Sequence, residues 1–224
     1  MVRRTSMSHF SADAPAIVLG GGVGIAAGLY ARHALRRAAS QGESDDALTL
    51  PGWLLAVLGG LTGALIGARF GMQARLPAYL YLVAITPALG AIDATTRKLP
   101  NRILLPAYPA SAALLGLTAW HDSGSAAMWR GALAGALLFA VFLVVALAAP
   151  VGSLGWGDVK LVGVLGLLLG FLGWATVWQG MMIAFGLAAL YVALRTLVQH
   201  GQHGQSLPLG PALLIGSLTA VIVS

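Results

Sequence analysis

The stretch Trp129-Arg-Gly-Ala-Leu-Ala-Gly-Ala-Leu-Leu-Phe-Ala-Val-Phe-Leu-Val-Val-Ala-Leu-Ala-Ala-Pro150 decides the fold class of this chain. After Arg130 it carries no charged residue. An α-helix needs about 20 mostly apolar residues to cross the hydrocarbon core of a bilayer. The run therefore predicts a transmembrane helix.

Similar apolar runs lie on both sides of this one, at about 15–31, 50–68, 76–93, 103–120, 178–198 and 207–223. The stretch 159–174 is shorter, and it could form a short helix against its neighbours instead of a full crossing. The sequence predicts an all-α polytopic transmembrane bundle of about eight segments, with seven as the alternative. We expect a single membrane domain over 1–224, with an N-terminal tail at 1–14.

Composition agrees with a membrane location. Hydrophobic residues make up 58% of the 224 and charged residues 9%, which is far from the usual composition of soluble domains. The net charge of +6 comes from basic residues scattered between apolar runs, so no nucleic-acid partner is expected. The absence of cysteine excludes a disulfide framework, a thiolate zinc site and a cysteine nucleophile. Without an H-E-x-x-H motif either, neither a metal nor another cofactor is expected.

The basic residues also predict an orientation. The odd-numbered connections between segments hold eight of them and the even-numbered ones three, or five with Arg3 and Arg4. The positive-inside rule then places the odd connections in the cytoplasm, which makes this a multi-pass protein of the inner, or cytoplasmic, membrane. We interpret Arg3-Arg4 and the following run as a retained first span, because no clear cleavage site follows.

Small residues spaced four apart occur in several runs and allow helix backbones to approach closely. In a bundle of this size, internal packing is favoured over dimerisation as their use. The pairs are Gly24 and Gly28, Gly63 and Gly67, Gly131 and Gly135, and Gly166 and Gly170.

Two of the seven acidic residues lie where an apolar run meets water. Asp93 follows Tyr79–Ile92, and Asp158 ends Gly155-Trp-Gly-Asp158, directly before Val159–Trp174. A carboxylate at membrane depth is costly, so each suggests a function. Two predicted crossings separate these acids, which places both at the same membrane face.

Each acid alone also fits a structural explanation. Asp158 could be a helix N-cap, and Asp93 could be a headgroup anchor beside Arg97 and Lys98. Together they suggest a pair that shares one proton, because close, dehydrated carboxylates cannot both ionise at neutral pH.

The residues around Asp158 suggest how such a site would be shaped. Gly155 and Gly157 would let an extended peptide lie close to the backbone. We expect Lys160 to point away from the pair toward headgroups, or to pair with a substrate.

Three segments carry a family resemblance. Asp93-Ala-Thr-Thr-Arg-Lys-Leu-Pro-Asn-Arg102 and Gly155-Trp-Gly-Asp-Val-Lys-Leu161 resemble the signature segments of the type IV prepilin leader peptidases, the GxGD membrane aspartic proteases. Pro208-Leu-Gly-Pro211 resembles the P-x-G-P element that opens the family's last span. The resemblance runs from about residue 76 to 224.

This resemblance implies that Asp93 and Asp158 are catalytic aspartates. They would hydrolyse the leader of a prepilin or pseudopilin at the cytoplasmic face, after a glycine. Many members carry a cysteine-bearing cytoplasmic insertion and an N-methyltransferase activity. The first connection here, about 32–49, contains no cysteine, so the chain resembles a peptidase-only form.

Two other functions remain open from the residues. A small proton-coupled transporter or channel could use acids inside the membrane, although both acids lie at span ends and no inverted repeat is visible. A non-catalytic assembly scaffold is the third alternative.

The predicted orientation can be tested in this cysteine-free chain. Single cysteines at Thr96 and Ser153 should react with an impermeant thiol reagent only from the cytoplasmic side, because both lie in odd-numbered connections, 94–102 and 151–158, that are predicted to face the cytoplasm. Labelling of one of the two positions from outside would place the two acids at opposite membrane faces and would contradict a shared site.

Overall fold

The computed structural model describes residues 13–40, 51–96, 99–148, 154–198 and 209–224. These ranges contain eight α-helices and no strand, which confirms the predicted all-α bundle. A π-helical turn, Ala119–Ser123, joins the fourth helix to the fifth. The helices are α1 (Ala14–Ser40), α2 (Gly52–Phe70), α3 (Leu76–Thr96), α4 (Asn101–Thr118), α5 (Gly124–Ala148), α6 (Trp156–Leu172), α7 (Trp174–Val198) and α8 (Leu209–Val223).

Helices are the expected elements because lipid offers no hydrogen bonds to the backbone, and a helix satisfies its own. Six of the described helices are long and apolar enough to cross a membrane, namely α1 to α5 and α7. The other two, α6 and α8, are shorter, with 17 and 15 residues.

Helix α6 lies at the centre of the bundle. From Asp158 to Phe171 every residue except Lys160 is buried. The stretch 159–174 therefore contains a short helix packed among its neighbours, one of the two forms that the sequence allowed.

The small-residue pairs pack helices of one chain together, as predicted. A Cβ atom on Gly24 would collide with the carbonyl group of Gly59, across the α1–α2 contact. At the α5–α6 contact, a Cβ on Gly135 would lie 2.8 Å from the carbonyl oxygen of Gly163. Such spacing brings backbones into direct contact.

The far end of α6 is fixed by side chains from two other helices. The last carbonyl groups of a helix have no partner within it, and here Arg130 of α5 donates to three of them, at 2.7 Å to Gly170, 2.6 Å to Phe171 and 3.4 Å to Leu172. The Tyr79 hydroxyl of α3 donates to the carbonyl of Leu168 at 3.0 Å. The sequence suggested only a loop cation for Arg130, whereas the structure gives it a bonding role inside the bundle.

The glycine contacts predict an asymmetric mutational response. Gly24→Ala forces a methyl group into the Gly59 backbone and should lower the free energy of unfolding by about 1–3 kcal/mol. Gly22→Ala, on the same helix, has no atom within 4 Å of the new methyl and should leave stability unchanged or slightly higher. Unfolding of the purified variants in detergent measures both, and equal losses would contradict the packing.

Candidate active site

Asp93 and Asp158 come from the ends of two different helices. Asp93 is the last residue of the apolar window of α3, Leu76–Asp93, and Asp158 lies in the first turn of α6. Their side chains are only 5% and 7% exposed. The N-cap of α6 is Gly155, and the Asp158 N–H donates to its carbonyl at 3.0 Å. The alternative that Asp158 is the N-cap is therefore wrong.

The two carboxyl groups influence each other electrostatically. The pKa of Asp158 is raised from 3.8 to about 7, first by burial and then by the charge of Asp93, while a hydrogen bond at the Gly155 backbone opposes the rise. A raised pKa caused by a neighbouring carboxylate is the behaviour of a pair that holds one proton. The expectation that both acids reach one end of the bundle agrees with this coupling.

Each acid of the pair has one buried oxygen atom that accepts no hydrogen bond. These atoms are the Oδ2 of Asp93 and the Oδ1 of Asp158. A buried polar atom without a partner is costly, so such atoms often mark positions that a ligand or substrate completes.

The two glycines before Asp158, Gly155 and Gly157, leave space that the Asp158 carboxyl group and the Leu99 side chain occupy. A Cβ atom on Gly155 would lie 3.1 Å from the Asp158 Oδ2 atom, and one on Gly157 would lie 2.6 Å from the Leu99 Cβ. Gly157 thus lets the segment that follows Asp93 pack against the first turn of α6. An extended peptide along these glycines stays a prediction.

A third glycine touches the other acid. A Cβ atom on Gly210, in the first turn of α8, would lie 2.5 Å from the Oδ2 atom of Asp93. The P-x-G-P segment therefore reaches the same place as the two aspartate segments. Pro208 of this segment lies outside the described residues, and so do Arg97 and Lys98, the predicted headgroup neighbours of Asp93.

Lys160 has a partner that the sequence did not suggest. Its ammonium group donates to the Asn101 Oδ1 atom at 2.8 Å, and its carbonyl accepts from the Tyr108 hydroxyl at 2.7 Å. These contacts join the first half of α4 to the first two turns of α6. Asn101 ends the motif Leu-Pro-Asn, but nothing in the local pattern indicated which helix it would meet.

The described residues contain no group of three or more histidine, aspartate or glutamate side chains that could hold a metal ion. The site offers two coupled carboxyl groups in an apolar surrounding. Such a pair can hold one proton and accept another, so it can act as both acid and base in a reaction of a water molecule.

A paired-carboxylate site on a helical membrane bundle defines the class of this protein. Residues 80–197, more than half of the chain, match the model of the Type IV leader peptidase family, and the chain belongs to that family. Both Asp93 and Asp158 lie within the matched residues, whereas Gly210 lies beyond them.

Named relatives agree with the family match. A prepilin leader peptidase/N-methyltransferase of Bacillus subtilis is 32% identical over 71% of this chain and 60% of the relative. Proteins of the same name from Burkholderia pseudomallei and Klebsiella pneumoniae are 31% and 36% identical over 73% and 55% of this chain, and 52% and 54% of their own lengths. The chain thus spans about half to three fifths of these relatives. No solved structure is a significant match to it.

The raised pKa of Asp158 predicts how stability depends on pH. Since the folded state holds this proton more tightly than the unfolded state, the stabilising contribution is complete below pH 3.8 and is lost as the pH rises through about 7. Asp158→Asn cannot ionise, so it should unfold at a higher temperature than the wild type at about pH 8 and at nearly the same temperature at about pH 4. Thermal unfolding in detergent checks this, and equal unfolding temperatures at about pH 8 would contradict the burial cost.

Proposed function

We propose that the protein is a membrane-embedded aspartic endopeptidase that removes the leader peptide of type IV prepilins or pilin-like proteins. The observation that carries the proposal is the pair of buried, electrostatically coupled carboxyl groups at Asp93 and Asp158. Membership in the Type IV leader peptidase family and the names of the relatives support the substrate class.

The chemistry follows from a pair that holds one proton. The ionised carboxylate takes a proton from a water molecule, and the water oxygen bonds to the scissile carbonyl carbon. The protonated carboxyl group donates its proton to the carbonyl oxygen, which gives a neutral tetrahedral intermediate. When this intermediate collapses, the C–N bond breaks, the amine nitrogen takes a proton, and the pair regains its single proton. A positioned acid or base contributes about 10²- to 10⁴-fold each.

The surroundings of the pair suit a peptide substrate. Gly155 is exposed and Gly157 half-buried, so a backbone can approach the first turn of α6 without meeting side chains from these positions. The unbonded Asp158 Oδ1 atom could then bond to the substrate carbonyl. In this proposal Gly155 and Gly157 shape the site, and Lys160 shapes it through Asn101.

The proposed location is the cytoplasmic membrane, with the pair at the cytoplasmic face. The support is the excess of basic residues in the odd-numbered connections. A prepilin would place its leader in the cytoplasm and its apolar segment in the bilayer, with the scissile bond at the boundary where Asp93 ends its span.

A proton-coupled transporter or channel is not favoured. Transporter sites lie near the bilayer midplane, at the interface of inverted repeats. Here the acids end α3 and begin α6 instead.

Replacement of either acid should abolish cleavage. Asp93→Asn and Asp158→Asn each remove a titratable member of a pair that works as a unit, so each should lower prepilin cleavage by at least about 10²- to 10⁴-fold. Co-expression with a prepilin, followed by a gel shift of the processed product, measures this loss.

Asp13→Asn is the matched control for that experiment. Asp13 is exposed and accepts a hydrogen bond from the Met72 N–H at 3.3 Å, a bond that an asparagine oxygen can keep. This variant should cleave normally. Full processing by Asp93→Asn or Asp158→Asn at normal abundance would refute the aspartic mechanism.

We also propose that this chain cleaves without methylating the new N-terminus. The support is the lack of cysteine in all 224 residues, because the family's methyltransferase activity goes with a cysteine-bearing insertion. Mass spectrometry of a pilin processed by this enzyme alone should show an unmodified N-terminus. A product heavier by one methyl group would show that the insertion is dispensable.

A further inference from the structure

A cavity of about 590 Å³ lies between α1, α3 and α4, away from the two acids. Its walls include Leu19 and Val23 on α1, Ala84 on α3 and Leu114 on α4. All three helices are long and apolar enough to cross a membrane, so the cavity lies within the hydrocarbon region. Asp93 follows Ala84 by nine residues, which is about 14 Å further along α3. The cavity is therefore separate from the proposed peptidase site.

The turn between α2 and α3 forms the mouth of this cavity and is fixed by two hydrogen bonds. The Met72 N–H donates to the carboxylate of Asp13, directly before α1, at 3.3 Å. The Thr118 hydroxyl, at the end of α4, donates to the carbonyl of Ala74 at 3.0 Å. Both Met72 and Ala74 line the cavity. Because the turn is bonded to the ends of α1 and α4, the fold itself sets the width of the mouth.

The other end of the cavity closes near the middle of the membrane. The last α3 residue in its lining is Ala84, near the centre of the span Leu76–Asp93. One turn further, Ala31 of α1, Leu55 of α2 and Ala88 of α3 form a buried cluster, and Ile103 of α4 packs against it. Small residues such as these alanines let helices approach closely. Four helices thus meet at this level and end the cavity.

The depth of the cavity matches one leaflet of a bilayer. On α3 it extends from Leu76 to Ala84, which is about 12 Å, and half of a hydrocarbon core about 30 Å thick is about 15 Å. A transmembrane helix needs the full thickness, so the apolar segment of a prepilin would extend beyond the closed end.

The lining is apolar with a polar residue at the mouth. Among the described side chains that line the cavity, only those of Gln73 and Tyr81 carry a polar atom. Gln73 is exposed and lies in the turn at the mouth. A lipid has the same arrangement, with a hydrocarbon chain below a polar headgroup.

We propose that this cavity is a binding site for one acyl chain of a membrane phospholipid from the leaflet opposite the two acids. The chain enters at the α2–α3 turn and lies along α3 as far as Ala84. Lipid hydrocarbon is as apolar as the cavity walls, so the hydrophobic effect does not favour the bound chain over free lipid. The bound chain is favoured instead by dispersion contacts with three densely packed helices.

Photolabelling of the full chain tests this site. The protein is delipidated in detergent and given one equivalent of phosphatidylethanolamine that carries a diazirine near the end of one acyl chain. After irradiation, peptide mass spectrometry should find the label concentrated at Val23 and Ala84. A diazirine near the ester end of the chain should move the label to Met72 and Leu76. Label spread evenly over the exposed faces of α5 and α7 would overturn the proposal.

Substitutions that fill the cavity should remove the label. Ala84→Phe occupies the closed end, so the chain-end probe should no longer label Val23. Ala136→Phe is the matched control, because Ala136 is exposed near the middle of α5, and it should leave the labelling unchanged. Val23→Phe fills the cavity from α1 and should likewise protect Ala84. A folded cavity-filling variant with wild-type labelling would overturn the proposal, and if neither variant folds, the label distribution in the wild type decides it.

The same samples distinguish a lipid from two other occupants. A second copy of the chain in the cavity would give a dimer in light scattering, and Ala84→Phe would convert this dimer to a monomer. An added prepilin that displaced the labelled lipid would assign the cavity to the substrate. Either result would overturn the lipid assignment, whereas a monomer whose labelling is unchanged by prepilin supports it. Loss of cleavage activity would refute the proposed function without affecting this site.

Discussion

A carboxylate loses most of its hydration when a helical bundle closes around it, and this chain closes around two of them. The effective cost in proteins is several kcal/mol per ion even after relaxation. The cost falls when the two groups share a single proton, which requires that they come close together at one end of the bundle. Asp93 and Asp158 lie near enough to interact electrostatically, and Leu99, six residues after Asp93, packs against Gly157 in the first turn of α6.

Glycine residues allow the helices of this bundle to pack closely enough for the two acids to interact. Away from the acids, glycines bring α1 against α2 and α5 against α6 with their backbones in contact. Near the acids, the missing glycine side chains leave space for other side chains. The carboxylate of Asp93 lies against Gly210, and Leu99, in the segment that follows Asp93, packs against Gly157. A methyl group at either position would push apart the elements that carry the pair.

The sequence predicted the elements of this fold well, because apolar runs and four-residue glycine spacing are local patterns with a direct physical meaning. It also predicted that both acids reach the same membrane face, and their electrostatic coupling agrees with that prediction. It did not predict which side chains would bond across helices. Arg130 bonds to a carbonyl 40 residues away and Lys160 to an amide 59 residues away, and no periodicity specifies which helices become neighbours. The N-cap alternative for Asp158 was wrong because the helix begins at Trp156, three residues before the apolar run that starts at Val159.

The bonds along α6 explain how a short helix can carry a costly group at its end. At its far end, Arg130 bonds to carbonyl groups that have no partner within the helix, and the Tyr79 hydroxyl bonds to the Leu168 carbonyl one turn earlier. At its near end, the Tyr108 hydroxyl bonds to the Lys160 carbonyl. Because other helices hold α6 at both ends, the first turn cannot easily move outward to hydrate Asp158. The same rigidity that destabilises the ionised carboxylate therefore keeps the acid in place, dry and able to hold a proton at neutral pH.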